Sequence, residues 1–527
     1  MFQANPSNKF VPSKKVILKP ENQGEYGLKK DNKQIKFYLN PQQTPFIDTS
    51  QTCLRMTVEV TGDVPAFKPG KLGGHSLIHD LRVTDGSNST VVEELSEYNQ
   101  MINVYNEYTA NSSINHRRDC FEGRSANDSL TNQLYMNDPE TLSATPTTTR
   151  QASKKVMVEL PLHSGILGDG RVCPVIAYNG IRTTMNLEQA ARALVPQQSV
   201  GVEYANGLIP TEDKDASDDS KADVNAVETI KVAKPAHNPF MVRDILYIEK
   251  TGASAQLGVI TQMKLDSSEL EITYIPNRAD TTPLGTAFPA TASKVYVKNS
   301  DRFNGSTLAN VPDAYKTIVG TDVKITNVEM VTSVVQPPKE YVSALMKKVQ
   351  SGTGLNLSVK TFSLQRVNLT AKSGLLTQNI PSNYRKVYSI LSVPLDVASL
   401  KDHSVDSFKP VIDDVDNYQW EYGSENIPSR PIDVSKYNDK GWNALHMAET
   451  QKSLQSCGYT VRNLNDAHER FIISRAFAMN GHVADLSTKP LNLRVEYDTT
   501  ATKQKVYYHY VCNVRNINIS NNGVTVS

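Results

Sequence analysis

One stretch near the middle of the chain limits the folds open to it. Residues 331–365 read VTSVVQPPKEYVSALMKKVQSGTGLNLSVKTFSLQ. Val331–Gln336 closes a run, from Thr321, of β-branched and alternating residues that reads as a strand. Pro337 and Pro338 end it, because proline donates no hydrogen bond to a ladder. Pro338 also suits the start of a helix. Tyr341, Val342, Leu345 and Val349 then fall on one helical face. Gly352 and Gly354 supply the stop, and a fresh strand series begins at Leu355. A β-rich chain that halts at its midpoint, makes one helix and starts again is built from two units in series.

The order of elements on either side is the same. Before the joint come strand-like runs at Val16–Lys19, Lys33–Leu39, Cys53–Val60, Ser76–Thr84 and Thr90–Glu94. A helical stripe follows, with Leu95, Tyr98, Ile102 and Tyr105 three or four residues apart. Strands return at Lys155–Leu162, Val175–Tyr178, Ile181–Leu187 and finally Thr321–Gln336. After the joint the series is LNLSVKTFSLQRVNL, YRKVYSILSVPLD and NYQWEYG, then a helical segment over Trp442–Cys457 with Leu445, Ala448, Met447 and Leu454 inward. FIISRAFAM, LNLRVEYD and the long KVYYHYVCNVRNINIS close it. In that last strand Val506, Tyr508, Tyr510, Cys512 and Val514 lie on one face and Tyr507, His509, Val511, Asn513 and Arg515 on the other. No residue-level repeat accompanies this shared order. Many short strands, with helices only in connections, predict an all-β fold of two tandem jelly-roll β-sandwiches. Two unrelated β-domains are the alternative.

Residues 190–320 exceed what one such sandwich needs. TEDKDASDDSKADVN, residues 211–225, holds six acids in fifteen residues, which predicts an exposed acidic loop over about 205–230. The short strands that follow, over about 238–300, predict a small β-barrel inserted as a unit. The organisation read from the sequence is therefore an N-terminal arm over 1–30, a first jelly roll over 31–337 with these insertions, a joint helix over 338–354 and a second jelly roll over 355–527.

Composition narrows the function. The formal net charge of +1 argues against nucleic-acid binding over the whole surface. Only the start is biased: residues 1–36 hold eight Lys against two Glu and one Asp, and Lys9, Lys14, Lys15 and Lys19 mark a basic arm. No apolar run approaches the ~20 residues of a membrane span. MFQANPSNKFVPSKK lacks the apolar core of a signal peptide, so synthesis inside a cell is expected. Five cysteines without a CxxC pair suggest neither a disulfide framework nor a zinc site.

An enzyme is not indicated, and neither a metal nor another cofactor is expected. His75 and His79 share a strand face, but no acidic or Cys partner follows at a ligand spacing, so both read as structural. Gly70-Lys71-Leu72-Gly73-Gly74 lacks the GK[ST] of a phosphate loop. Glu93 and Glu94 are adjacent in a strand and point to opposite faces, so they cannot work as a carboxylate pair. Cys120 has basic neighbours in HRRDC but no assigned base.

GGHSLIHDLRVTDGSNSTVVEELSEYNQM, residues 73–101, resembles the first-domain signature of double jelly-roll major capsid proteins, closest to those of Polinton-like viruses, adintoviruses and virophages in the adenovirus hexon-like lineage. The matching positions are Leu77–Val83, Glu93, Glu94, Tyr98 and Asn99. The joint stretch resembles that family's inter-roll connection, and ADLSTKPLNLRVEY, residues 484–497, its late strand pair. The likeness runs from about residue 30 to about 520; residues 190–320 depart from it. It implies a structural subunit of an icosahedral virion of a DNA virus. Such a subunit forms homotrimers, packs against neighbouring capsomers, and meets penton and minor capsid proteins. Its basic arm would face packaged DNA or an inner membrane. Pro337, Pro338, Tyr341, Leu345, Val349, Gly352 and Gly354 would form its structural joint. The other class left open is a non-catalytic carbohydrate-binding or adhesive β-sandwich, which would usually be exported.

Overall fold

The computed structural model describes residues 11–28, 32–61, 67–69, 72–109, 121–123, 155–196, 210, 228–233, 245–250, 253–265, 269–276, 293–297, 322–351, 353–381, 383–401, 407–411, 415–434, 444–462, 471–478, 483–499 and 501–527.

The first half contains β1 (Val11–Leu18), β2 (Tyr26–Gly27), β3 (Gln34–Leu39), β4 (Ile47–Thr61), β5 (Phe67–Pro69), β6 (Ile78–Asp85), β7 (Val91–Leu95), β8 (Lys155–Pro161), β9 (Val172–Cys173), β10 (Ile181–Leu187) and β11 (Leu194–Pro196). An insertion follows: β12 (Glu228–Ala233), β13 (Ile245–Lys250), β14 (Ala253–Leu265), β15 (Glu269–Pro276) and β16 (Ser293–Val297). Strand β17 (Asp322–Gln336) closes the half. One sheet has the order β1-β17-β4-β8 and the other β3-β10-β6-β7. Period-two burial explains the layering. Ile35, Phe37 and Leu39 of β3 point inward, as do Ile181, Thr183, Met185 and Leu187 of β10.

The second half contains β18 (Leu355–Asn368), β19 (Gly374–Ile380), β20 (Val387–Asp396), β21 (Val415–Tyr422), β22 (Glu425–Asp433), β23 (Ile473–Ala476), β24 (Leu491–Tyr497), β25 (Lys505–Ser520) and β26 (Gly523–Val526). Its sheets run β18-β25-β20-β23 and β19-β24-β21-β22. With the eight main strands of each half taken in chain order, both halves pair first-eighth-third-sixth against second-seventh-fourth-fifth. The helices repeat too: Tyr98–Thr109 and Ala444–Ser456 each connect the fifth strand to the sixth. The chain is two copies of one jelly-roll topology.

Several details differ from the sequence reading. Residues 11–18 are not a free arm. They form the first strand of the first roll, paired with β17 from Val11↔Gln336 to Leu18↔Met330. Val175–Tyr178 is a turn rather than a strand. Strand β22 carries Pro428 and Pro431 and has no counterpart among the strands read from the sequence; as the outer strand it pairs, among the described residues, only with β21, and an edge tolerates proline. In the helix Ala444–Ser456 the inward residues are His446, Glu449, Thr450, Ser453 and Leu454, while Leu445 is exposed. Polar partners in the sandwich decide that face: Tyr418 meets His446, and Arg475 donates to Glu449.

The insertion lies between the seventh and eighth strands of the first roll and forms a five-stranded antiparallel sheet, β12-β15-β14-β13-β16. It has its own core, which includes Ile230, Leu246, Ile260, Ile272 and Tyr274. Among the described residues no pairing of β12 with β16 closes it into the expected barrel. It also starts earlier than expected, because Glu228–Ala233 pairs with β15 and Pro210 bridges to Val232. The acidic run 211–225 lies outside the described residues.

The two rolls share one apolar core. It contains the interior of the first roll (Phe37, Leu54, Met56, Leu81, Met185) and one face of the second roll's β18-β25-β20 layer (Leu357, Leu391, Tyr508, Tyr510, Cys512). The opposite face of that layer, with Val387, Ile390, Tyr507 and Val511, packs inside the second roll. Strand β25 is consequently buried without interruption from Lys505 to Asn513. A sandwich strand with one wet face would alternate, so continuous burial marks a sheet covered on both sides.

Candidate functional site between the two rolls

The surface between the rolls is built from three groups of residues. The first is the joint. Helix Lys339–Gln350 starts directly after Pro338, whose φ is −56°. Glu340 in its first turn and Lys347 and Lys348 in its last complement the helix dipole. Leu345 and Val349 are buried in the shared core, and Tyr341 and Val342 pack half-buried against it. Phe46 of the first roll lies 6.2 Å, centroid to centroid, from the Tyr341 ring. The helix rests against β18 and β25 of the second roll. Gly354 has a φ of +63°, and a Cβ there would sit 2.9 Å from the Ile519 carbonyl oxygen. Both the left-handed turn and the close approach require glycine. Gly352 lies outside the described residues.

The second group centres on Glu93, the buried acid of the Glu93-Glu94 pair; Glu94 is exposed, as strand alternation requires. The Glu93 carboxylate accepts from the backbone N–H of Gly165 at 2.9 Å and from the Thr361 hydroxyl at 2.6 Å, and the Ser164 hydroxyl also donates to it. Thr361 belongs to β18, so one buried carboxylate binds a first-roll loop and a second-roll strand together. The approach there is close: a Cβ on Gly165 would lie 2.3 Å from the Lys360 carbonyl oxygen.

The third group is ionic. Arg192 is buried and donates to Glu97 and, at 3.2 Å, to Glu188. Its guanidinium lies 5.2 Å from the Phe408 ring centroid and 5.7 Å from that of Tyr508, both in the second roll. His79 pairs with Asp80 at 2.8 Å and Glu97 at 3.5 Å. Burial pulls the His79 imidazole down, but hydrogen bonds to Asp80 and Glu97 outweigh it and raise it to about 10. Burial likewise opposes ionisation of Glu97, yet His79 and Arg192 hold its carboxyl at about 2. Glu97 has a left-handed φ of 50°, and its carbonyl accepts from the Tyr510 hydroxyl of β25 at 3.0 Å. Phe408 is held by its carbonyl, which accepts from Gln100 at 3.3 Å and Asn103 at 3.1 Å. The His79, Glu97 and Glu188 donors are close enough together to hold a metal ion. Arg192 already supplies the neutralising charge there.

Sequence spacing placed the joint and the Glu93 face. It missed the ionic group, because Arg192 lies at the edge of the 190–320 stretch that exceeds one sandwich and the partners of His79 come from its neighbour Asp80 and from Glu97, eighteen residues on. Of the basic positions, Lys9 lies outside the described residues. Lys14 and Lys15 are exposed on β1, and Lys19 pairs with Glu329 at 2.6 Å. Glu329 continues through Arg55 at 3.9 Å to Glu159, 2.8 Å from Arg55, as a charged row across the β1-β17-β4-β8 sheet.

No protein-family model matches the sequence, and no curated protein matches it. Solved structures do. The chain is similar to one from the PBCV-1 virus capsid, with a TM-score of 0.50, 8% identity, and coverage of 98% of this chain and 96% of that chain. It is also similar to the Faustovirus major capsid protein, with a TM-score of 0.52, 9% identity, and coverage of 99% and 93%. At these identities the likeness is one of fold, and it extends over nearly the whole of each chain. The fold is that of double jelly-roll viral capsid proteins.

Proposed function

We propose that this chain is the major capsid subunit of a DNA virus or virus-like element. Three copies associate side by side into a capsomer with six corners, one for each jelly roll, and capsomers tile an icosahedral shell. The observation that carries this reading is the repetition of one eight-strand order in two rolls fastened through a shared core. A subunit that places two equivalent sandwiches at a fixed angle becomes, under a three-fold axis, a block of near-hexagonal outline. The inter-roll contacts matter because an angle that varied between copies would spoil the fit of every neighbour. The insertion between the seventh and eighth strands adds an outward elaboration, and neighbouring capsomers, penton and minor capsid proteins are the partners this geometry suits. The exposed Lys14 and Lys15, with the residues before them, supply positive charge for packaged DNA or an anionic membrane surface on the inner side.

The test is the oligomeric state of purified protein at neutral pH. Light scattering should give a mass near 175 kDa, three times 58.3 kDa. A chain that stays monomeric at high concentration contradicts the reading.

A further inference from the structure

Cys457 and Cys512 are both buried free thiols. Cys457 follows the helix Ala444–Ser456, and Cys512 lies in β25. The two side chains meet at Ser389 of β20. Ser389 fixes their placement from a third side. Its hydroxyl lies 2.7 Å from Cys457 Sγ, and it stands opposite Cys512 in the β20–β25 ladder. The chain around Cys457 is well anchored. The Cys457 N–H donates to Ser453 at 3.2 Å, and Lys360 Nζ donates to the Ser456 carbonyl at 3.1 Å. The residues that follow dock on the first roll: Tyr459 packs edge-on against Tyr105 at 4.8 Å, and the Arg462 N–H donates to the Tyr108 carbonyl at 2.8 Å. The thiol pair therefore sits where a second-roll strap, Cys457–Arg462, crosses to the helix of the first roll.

We propose that Cys457 and Cys512 form a redox latch, closed to a disulfide by a small peroxide and opened by thiols. A peroxide reaches a buried thiol more readily than a bulky disulfide oxidant does. Hydrogen peroxide takes one thiol to a sulfenic acid with release of water. The second thiol attacks that sulfur, the S–S bond forms, and a second water leaves. Two thiols are oxidised, one peroxide is reduced, and no other reactant is needed. The bond would tie the strap to the eighth strand of its roll and close a loop over residues 457–512, constraining the unfolded chain. Thiols stay reduced inside cells and disulfides persist outside them, so a shell leaving its host would meet the closing condition. That timing rests on the capsid reading; the bond itself does not.

The test uses the full-length reduced protein. It is treated with hydrogen peroxide, alkylated under denaturing conditions and analysed by intact mass and non-reducing peptide mapping. The expected result is three added alkyl groups where the reduced protein takes five, one linked peptide pair joining Cys457 to Cys512, and an unfolding midpoint raised by about 5 °C. Dithiothreitol should reverse all three, and a Cys457→Ala protein should show no such link. Full alkylation of both residues after oxidation overturns the proposal, as does linkage of either one to Cys53 or Cys173. Because the readout is a covalent bond, it stands or falls separately from trimer formation.

Discussion

Replacing Glu93 by alanine should loosen the two rolls at one defined place. The carboxylate accepts from the Gly165 N–H and from the hydroxyls of Ser164 and Thr361, and its site is closed to water. The Ser164 oxygen still accepts from the Leu167 N–H at 3.0 Å, but its own O–H loses its acceptor. The Gly165 N–H and the Thr361 hydroxyl do not gain a new acceptor from the substitution. A buried donor left unmade costs about 1–3 kcal/mol, so three stranded donors, of which the two hydroxyls can rotate to relax, give about 3–5 kcal/mol. That lies in the tail reserved for buried networks. A two-domain chain of this size does not unfold in one step, so a global midpoint would dilute the effect. Hydrogen exchange by mass spectrometry reads it locally. Peptides covering Pro161–Gly168 and Leu355–Phe362 should exchange roughly 100- to 1,000-fold faster in Glu93→Ala, while the β21–β24 ladder stays protected. A double-mutant cycle with Thr361→Val isolates the inter-roll bond and should give a coupling of about 1–3 kcal/mol. Unchanged exchange at both peptides would refute the claim that this carboxylate fastens the rolls.

Leu345→Ala in the joint helix should cost about 2–3 kcal/mol, in the lower part of the range for core leucines, because half-exposed Tyr341 and Val342 can settle into the gap; unchanged thermal melting would mean the helix is a loose linker. Arg192→Met should cost about 3–5 kcal/mol, because it leaves Glu188 buried without its cation and Glu97 with His79 alone; hydrogen exchange of peptides covering Leu95–Thr109 and Lys505–Asn513 reads this, and exchange unchanged at both would contradict the ionic fastening. Acid should weaken the second roll first. Burial lowers His446 to about 4 and His509 to about 3, whereas an unfolded histidine titrates near 6.5. Below about pH 6.5 the unfolded chain binds protons that the folded chain refuses, so each group removes about 1.4 kcal/mol per pH unit down to its folded value. Melting measured from pH 7 to pH 4 should show this slope, and His509→Gln should flatten it; a parallel curve for the variant would show that His509 is not responsible.

The joint was legible in the sequence because its parts are local: two prolines, one apolar helical stripe and a glycine that only a left-handed turn explains. The two faces of β25 were legible for a related reason, though not that both are buried. Both of its faces, Tyr508-Tyr510-Cys512 and Tyr507-Val511, carry large apolar residues, as a strand covered on both sides must. Features that depend on long-range pairing were not. Strand β1 carries Lys14 and Lys15, and only its end at Val16 looks strand-like until its ladder with β17, more than three hundred residues away, is seen. Strand β22 hides behind its prolines, and only its edge position makes them tolerable. The ionic group depends on Arg192 reaching across the boundary between rolls to lie beside Phe408 and Tyr508, and no spacing rule encodes that. Glu93 was picked out by resemblance, but its partners Gly165 and Thr361 are known only from the packed structure.

The most direct test of the central claim is a cryo-electron microscopy map of the purified protein or of particles assembled from it. The account predicts a three-fold block with six upright sandwiches at its corners, joined in pairs through the layer that contains Arg192 and Glu93, with the five-stranded insertion outermost. A map in which the two rolls of one chain separate, take variable angles, or associate in any arrangement without a three-fold axis would contradict it.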